Sequence, residues 1–168
     1  MNLKRPIFFP IIILIFLLVG RLTLAGERID IVPKAMENIN QRYHYSPAVK
    51  VGKFIFIAGQ VGRDANLNVV IGKEAQIKQA FENLKMVLNE ASAGFEDVVE
   101  IVTYHTDMRD LDLVVKIKDQ YFKTRYPAWT GVGVSALSTP GLEFEIKWAL
   151  PVCIQAHDAL SQNKGSTP

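Results

Sequence analysis

One carboxylate in this chain, Glu145, occupies a position from which it could act on a bound molecule. It lies in an alternating strand, in which Phe144 and Ile146 take one face while Glu145 and Lys147 take the other. We expect association with other copies of the chain to bury the face of Glu145, and a buried carboxylate needs a hydrogen-bond partner or a counter-charge. Glu145 could then hold a water molecule for attack or act as a general base. A structural carboxylate at an interface is the alternative.

Four further residues could contribute to a small-molecule pocket beside Glu145. Trp129 begins a strand on which Gly131 and Gly133 point the same way, and the β-branched residues between them are expected to face the core. Two glycines on one strand face leave bare backbone that a ligand or another backbone can approach. Trp129 is then a pocket wall, a subunit contact or a core residue. Tyr45 heads an earlier strand and either supplies a hydroxyl group to the pocket or only packs.

No standard signature for a metal, a phosphate or a cofactor accompanies these residues. His44, His105 and His157 lack the spacing of metal ligands. The segment Gly59–Gly62 opens no helix, so it is not a dinucleotide or phosphate loop. His105 and Asp107 are interpreted as a strand-end histidine beside a helix cap. The sequence therefore predicts neither a cofactor nor a metal site.

The first 25 residues have the pattern of a secretory signal. Lys4 and Arg5 precede an almost wholly apolar run over 7–20, and the segment ends in small residues that permit cleavage after Ala25. The apolar run is short for a membrane span, which needs roughly 20 residues, although a retained N-terminal anchor remains the alternative. We therefore expect an exported, periplasmic protein with no membrane contact beyond this segment.

The rest of the chain is close to neutral. The 168 residues include 19 basic and 17 acidic ones, and three of the basic residues (Lys4, Arg5 and Arg21) precede residue 26. Residues 26–168 thus carry 16 basic and 17 acidic side chains, a net charge of −1. Without a basic cluster, nucleic acid is not an expected partner. Cys153 is alone, so no intramolecular disulfide is expected.

The remaining chain is expected to form one α+β domain. We assign 26–44 as a lead-in with a possible edge strand, 45–155 as the domain and 156–168 as a disordered polar tail. Hydrophobic periodicity predicts a hairpin over 45–58, helices over 73–91 and about 110–123, and strands over 98–106, 126–134 and 142–150. Two amphipathic helices on one face of a single mixed β-sheet make a two-layer domain. Its other face should be covered by further copies.

Three segments together resemble the Rid (reactive intermediate deaminase, or YjgF) family. They are 58–62 (Ala-Gly-Gln-Val-Gly), 126–129 (Tyr-Pro-Ala-Trp) and 143–146 (Glu-Phe-Glu-Ile), placed in this order around the two helices. The resemblance covers roughly 45–152. It implies a chorismate-mutase-like α+β fold and a homotrimer whose three sheets close into a barrel, with small-molecule pockets at the subunit interfaces.

The resemblance also implies roles for individual residues. In the family, a backbone carbonyl matching Gly131 and a glutamate matching Glu145 place the attacking water, and Tyr45 and Gly59 match pocket positions. The arginine that binds the substrate carboxylate in the best-known members is replaced here by Trp129, and the serine before Gly-Gln is replaced by Ala58. The chain in this respect resembles a YjgH-like branch that lacks the arginine.

Two functions follow as expectations. The best-known members hydrolyse imine and enamine intermediates from pyridoxal-phosphate enzymes, giving 2-oxo acids and ammonia. A deaminase-like hydrolase with altered substrate preference is thus the first hypothesis, with Glu145 and the Gly131 carbonyl as catalytic groups and Tyr45, Ala58, Gly59 and Trp129 at the substrate. A non-catalytic periplasmic protein that binds a small molecule is the second.

Overall fold

The computed structural model describes residues 27–148 and the backbone of 152–153. The described residues contain eight strands and three α-helices interspersed along the chain, so the predicted α+β class is confirmed. The strands are β1 (Arg28–Ile31), β2 (Ala48–Val51), β3 (Phe54–Ile57), β4 (Gln60–Val61), β5 (Glu100–His105), β6 (Ala128–Gly133), β7 (Phe144–Lys147) and β8 (Val152–Cys153). The helices are α1 (Glu37–Tyr43), α2 (Lys73–Glu90) and α3 (Leu111–Lys118).

The strands form two four-stranded sheets rather than the single sheet expected from the sequence. The first has the order β1-β2-β3-β8 and the second the order β4-β7-β5-β6. β5 and β6 run parallel, and every other neighbouring pair is antiparallel. The chain passes from the first sheet to the second within Ala58 and Gly59, between β3 and β4. This break is the feature that brings the two sheets together at the candidate site.

The hydrophobic core lies between the sheets and the helix layer formed by α2 and α3. The apolar stripe predicted for the first long helix is confirmed, because Ile77, Phe81, Leu84 and Leu88 on α2 are buried. β5 and β7 meet this stripe with alternate residues, among them the fully buried Phe144. Polar side chains of α2 reach the strand ends and hold their backbone, as described below.

Some element boundaries differ from the sequence prediction. The hairpin of β2 and β3 is confirmed, with a two-residue turn in which Gly52 has a φ of 59°. The second predicted helix is shorter, because a 3-10 turn (Met108–Asp110) precedes α3 and α3 ends at Lys118. Helix α1 was not predicted, since it is only seven residues long, buries none of them and has no side-chain cap.

The outer face of β3 is apolar and uncovered in one copy of the chain. Ile55 and Ile57 are buried, whereas Phe54 and Phe56 on the opposite face are 47% and 49% exposed. A strand that is apolar on both faces usually has both faces covered. The outer face of β3 is therefore a candidate surface for contact with another protein chain.

The predicted signal segment (1–25), the predicted tail (156–168) and His157 lie outside the described residues. The side chain of Cys153 lies outside them as well. Within the part of the chain that is described, no helix combines the length and apolar character needed to cross a bilayer.

Candidate functional site

A cleft lies at Ala58 and Gly59, where the chain passes from the first sheet to the second. It consists of two cavities of about 300 and 370 Å³, which share five lining residues and so adjoin. Glu145, Tyr45, Ala58 and Gly59, which were all predicted from the sequence, line the larger cavity. The five shared residues are Ile39, Tyr45, Gly59, Val61 and Arg63. The fold therefore gathers four of the six predicted site residues in one protomer.

Glu145 is placed at this cleft by the pairing of β7. It lies between Val61 on β4 and Tyr104 on β5, on the sheet face opposite the buried Phe144 and Ile146. Its side chain is half-buried, and burial raises the pKa of its carboxyl group above the usual glutamate range, against a smaller lowering by Lys147. A higher pKa makes the carboxylate a stronger base than an exposed glutamate.

Gly59 leaves the space that the Glu145 carboxylate occupies. A Cβ atom built on Gly59 would lie 1.8 Å from Glu145 Oε1 and 2.7 Å from its Cδ, far inside contact distance. The φ angle of Gly59 is not positive, so its backbone conformation does not require glycine. The requirement for glycine here comes from the close approach of the carboxylate to the backbone.

Tyr45 lines both cavities of the cleft. Its carbonyl accepts a hydrogen bond of 2.7 Å from Asn40 Nδ2 on α1, which fixes the backbone at the entry to β2. Burial raises the pKa of its phenol group, Arg63 lowers it and Glu145 raises it again. The influence of both charged groups indicates that Tyr45 lies within electrostatic range of each. As a neutral phenol, Tyr45 can donate or accept one hydrogen bond to a ligand.

Ala58 and Gln60 form the backbone floor of the cleft. The amide of Ala58 donates to Pro47 O at 2.9 Å, and Gln60 Nε2 donates to Ala58 O at 3.0 Å. Gln60 is only 4% exposed, and its side-chain NH2 group makes this structural hydrogen bond. Ala58 presents a methyl group to the cavity and adds no hydrogen-bonding group there.

Arg63 is a residue of the cleft that the sequence interpretation missed. It lies two residues after the end of β4, in a segment for which no helix or strand was predicted, and it is 7% exposed. The loop is ordered by Asp64, whose carboxylate accepts from the amides of Asn66 and Asn68, both at 2.9 Å. Nothing in the local sequence pattern tells a buried arginine in such a loop from a solvated one. The charge beside Gly62 makes Arg63 a candidate ligand-binding residue, but it carries no information about burial.

Trp129 does not share a sheet face with Glu145, and the expectation that it does is wrong. Its indole Nε1 donates a hydrogen bond of 2.8 Å to Thr103 Oγ1, and Thr103 and His105 are buried on the helix side of β5. The ammonium of Lys118 on α3 lies 5.4 Å from the Trp129 ring centroid, within cation–π range. Period-two alternation shows which residues share a face, but not which face meets the core.

Gly131 and Gly133 follow Trp129 onto the helix side. A Cβ atom at Gly131 would lie 3.6 Å from Met108 Cε, and one at Gly133 would lie 3.1 Å from Met108 Cγ. The space above these glycines is therefore filled by the turn before α3 rather than by a ligand. β5 separates β6 from β7, so Gly131 and Glu145 lie about 10 Å apart at the usual strand spacing. One protomer does not bring the Gly131 carbonyl or Trp129 to the cleft.

His105 belongs to a buried hydrogen-bond chain and not to the cleft. Thr103 Oγ1 accepts from Trp129 and lies 2.7 Å from His105 Nε2. The hydroxyl proton of Thr103 is then free to point at Nε2, which makes this nitrogen the acceptor of a neutral imidazole. Burial lowers the pKa of His105, in keeping with the neutral ring. Across residues 27–148, no three or more histidine, cysteine, aspartate or glutamate side chains gather as a metal site would require.

Comparison with known proteins gives three consistent similarities. A family model described as Endoribonuclease L-PSP matches residues 35–150. RutC family protein YjgH of Escherichia coli (strain K12) is 32% identical over 123 residues, which cover 72% of this chain and 92% of the relative. A solved structure of protein YjgH has a TM-score of 0.70 and 30% identity, and the match covers 77% of this chain and 98% of the other.

Another relative, matched over a shorter part of the chain, has an enzymatic name. The 2-iminobutanoate/2-iminopropanoate deaminase of Homo sapiens is 36% identical over 95 residues, which cover 55% of this chain and 69% of that protein. The shared part ties a deaminase-named protein to the same kind of domain.

Proposed function

This chain belongs to the Rid family, with YjgH among its similar relatives, and on that premise we propose that it hydrolyses an imine or enamine at the cleft around Glu145. The observation that carries the proposal is the close approach of the Glu145 carboxylate to the bare backbone of Gly59, in a cavity that Tyr45 also lines. In this reading Glu145 takes a proton from a bound water as the water oxygen bonds to the C=N carbon. Protonated Glu145 gives this proton to the nitrogen, which yields a carbinolamine. Glu145 then takes the hydroxyl proton and passes it to the amine as the C–N bond breaks, so that a carbonyl compound and ammonia are released. An enamine must first be protonated on carbon to give the imine.

The burial of Glu145 supports its role as the base. Its raised pKa makes proton transfer from water less unfavourable than it would be for an exposed glutamate. The carboxylate has no salt-bridge partner among the described ion pairs, so it is not already neutralised by a lysine or arginine. Tyr45 would hydrogen-bond the substrate from the other side of the cavity.

A homotrimer is part of the proposal, because one protomer keeps Gly131 and Trp129 away from Glu145. Packing of the exposed apolar sheet faces against each other would carry β6 of one copy to the cleft of the next. The Gly131 carbonyl of the second copy could then orient the water, and the exposed part of Trp129 could form a wall. Since no arginine occupies position 129, substrate preference is proposed to differ from that of relatives with an arginine there.

The direct test is ammonia release from imines generated in situ, measured with purified protein and with Glu145→Ala. Loss of release in Glu145→Ala supports the proposal. Equal release by both proteins would remove Glu145 from the mechanism and leave the proposed chemistry without its base.

A second candidate is a non-catalytic protein that binds a small molecule in the periplasm. The export pattern of residues 1–25 favours it, because a secreted domain would be separated from the cytoplasmic enzymes that release imines. Fractionation of cells, followed by mass determination of the mature N-terminus, tests export and cleavage after Ala25. Ligand-induced melting shifts without any turnover would favour this candidate over the hydrolase.

RNA cleavage, which the name of the family model suggests, has less support here. The net charge of −1 on residues 26–168 offers no attraction for a phosphate backbone. We therefore propose a small molecule, and not nucleic acid, as the partner of the cleft.

A further inference from the structure

The guanidinium group of Arg63 is buried in the cleft without a negative partner. Arg63 is 7% exposed and takes part in none of the salt bridges among the described residues. A buried charge that lacks a counter-charge costs several kcal/mol, and removal of a partner from a buried pair is costly for the same reason. A permanently charged side chain cannot escape this cost by deprotonation.

The hydrogen bonds of Arg63 leave much of its donor capacity unused. One Nη donates to Tyr43 Oη at 3.3 Å and the other donates to Thr139 Oγ1, and both acceptors are neutral hydroxyl groups. Its Nε is buried and has no partner among the described residues. A guanidinium group carries five N–H donors in a rigid fork that matches a carboxylate. Two bonds to neutral hydroxyls do not satisfy it.

The position of Arg63 is fixed by the fold rather than by chance contact. Asn83 on α2 donates from Nδ2 to the carbonyls of Val61 and Arg63, at 2.8 and 2.9 Å. The Tyr43 ring lies 5.6 Å from the Arg63 guanidinium carbon, in cation–π range. The arginine is thus held at both its backbone and its guanidinium group. A side chain that is already ordered loses little conformational entropy when it binds a ligand.

We infer that Arg63 is the anchor for a carboxylate-bearing small molecule in this cleft. Arg63 and Glu145 both line the cavity of about 370 Å³ but form no salt bridge with each other. A ligand whose carboxylate binds Arg63 could therefore place its imine carbon at the Glu145 carboxylate. The inference rests on the proposed function and assigns the selection of a carboxylate to Arg63, with the positive charge supplied from the loop after β4 and not from β6. The altered substrate preference proposed above then concerns the rest of the substrate, which meets Trp129 in place of an arginine.

The test is a binding measurement that needs no turnover. Full-length protein is titrated calorimetrically with 2-oxobutanoate, a stable product-like carboxylate, and with its uncharged amide. Arg63→Lys and Arg63→Gln are compared with Arg109→Gln, whose side chain is 90% exposed and paired with Asp107 outside the cleft. We expect the carboxylate to bind at least about 30-fold more tightly than the amide, and this preference to fall by a similar factor in Arg63→Gln. Arg63→Lys should retain part of it, while Arg109→Gln should retain all.

The outcomes separate this inference from the proposed function. Arg63-dependent carboxylate binding without ammonia release from any imine upholds the anchor and refutes the hydrolase. Ammonia release that is equal for carboxylate and amide imines and unchanged in Arg63→Gln upholds the hydrolase and overturns the anchor. Equal binding of acid and amide by the wild-type protein also overturns it, and this measurement does not depend on whether an Arg63 variant folds.

Discussion

At the scale of single residues, the cleft depends on one contact between a carboxylate and a residue without a side chain. Glu145 Oε1 occupies the place where a Cβ of residue 59 would stand. Resemblance to the family predicted both residues, but their mutual contact follows only from the pairing of β4 with β7. Arg63 shows the opposite case. Its burial depends on the path of the loop and on Tyr43 and Thr139, which are distant in sequence.

Gly59→Ala is therefore expected to displace the Glu145 carboxylate with little effect on folding. The added methyl group meets the end of a flexible side chain, which can turn away at small cost to stability. Turnover should fall by about 10²-fold or more if Glu145 is the general base. The measurements are steady-state ammonia release and urea unfolding.

Gly133→Ala is the matched control for this change. Its new Cβ would meet Met108 Cγ at 3.1 Å, and Met108 is 41% exposed and can shift. Full activity in Gly59→Ala would mean that the carboxylate position seen against Gly59 is not the active one.

The raised pKa of Glu145 predicts the acid limb of the activity profile. A general base must be ionised, so activity is lost as pH falls through the pKa of Glu145, which burial places above the ordinary glutamate value. Lys147 lowers this pKa, so Lys147→Gln should move the acid limb to still higher pH. The check is kcat/KM as a function of pH for both proteins. An acid limb at the ordinary glutamate value, unmoved by Lys147→Gln, would contradict the assignment.

At the scale of elements, the cleft is braced by helix α2. The regular apolar stripe made α2 the clearest prediction from the sequence, because local periodicity alone defines it. Its polar side chains were not interpreted, yet Asn83 and Gln76 hold the ends of β4 and β7. Gln76 Oε1 accepts from the amide of Glu143 at 3.0 Å, two residues before Glu145. Such bonds are specified by tertiary neighbours, which explains why a single sequence did not reveal them.

Asn83→Leu should weaken this brace. The carbonyls of Val61 and Arg63 would lose their shared donor in a buried setting, which costs about 1–3 kcal/mol. Urea unfolding measures the loss, and carboxylate binding should weaken as well because Arg63 is no longer held. Asn89→Leu, at an exposed position of the same helix, should change stability by no more than about 0.5 kcal/mol. Equal effects of the two substitutions would show that Asn83 does not act through its hydrogen bonds.

The strand β6 shows where element-level prediction reached its limit. Its existence and its period were predicted correctly, but its faces were inverted. The β-branched residues suggested the core face, whereas Trp129, Gly131 and Gly133 turn towards Thr103, His105 and the turn before α3. Gly131 and Gly133 fit under that turn because they lack side chains, so these two glycines reflect close packing within the chain.

At the scale of the whole molecule, a single copy leaves its proposed site incomplete and its sheet uncovered. Phe54 and Phe56 are each about half exposed on the outer face of β3, and adjoining exposed aromatic side chains mark a candidate interaction surface. The α+β class could be predicted from the order of elements. The division into two sheets could not, because it depends on the direction that the chain takes at Ala58 and Gly59, which the sequence pattern does not encode. Assembly remains a proposal that follows from this surface and from the family resemblance.

Phe56→Lys is expected to weaken self-association. Phe56 is 49% exposed in one copy, so assembly can bury only about half of its side chain. Each copy would therefore lose roughly 0.7–1.5 kcal/mol of apolar burial, and a buried lysine would add a desolvation cost. Sedimentation velocity should show a shift towards smaller species, with turnover falling in parallel. Ile71→Lys, at a side chain 95% exposed in the loop after β4, is the control. A wild-type protein that sediments as a monomer and is fully active would contradict the shared site.

The most direct test of the central claim is Glu145→Gln, with ammonia release and stability measured on the same samples at neutral pH. Because the folded state raises the pKa of Glu145, it stabilises the protonated form, and that stabilisation is lost as pH rises through the raised value. We therefore predict that Glu145→Gln unfolds at equal or higher urea concentration than wild type while ammonia release falls about 10²–10⁴-fold. Unchanged release, or a loss of release explained by unfolding, would contradict Glu145 as the base of this cleft.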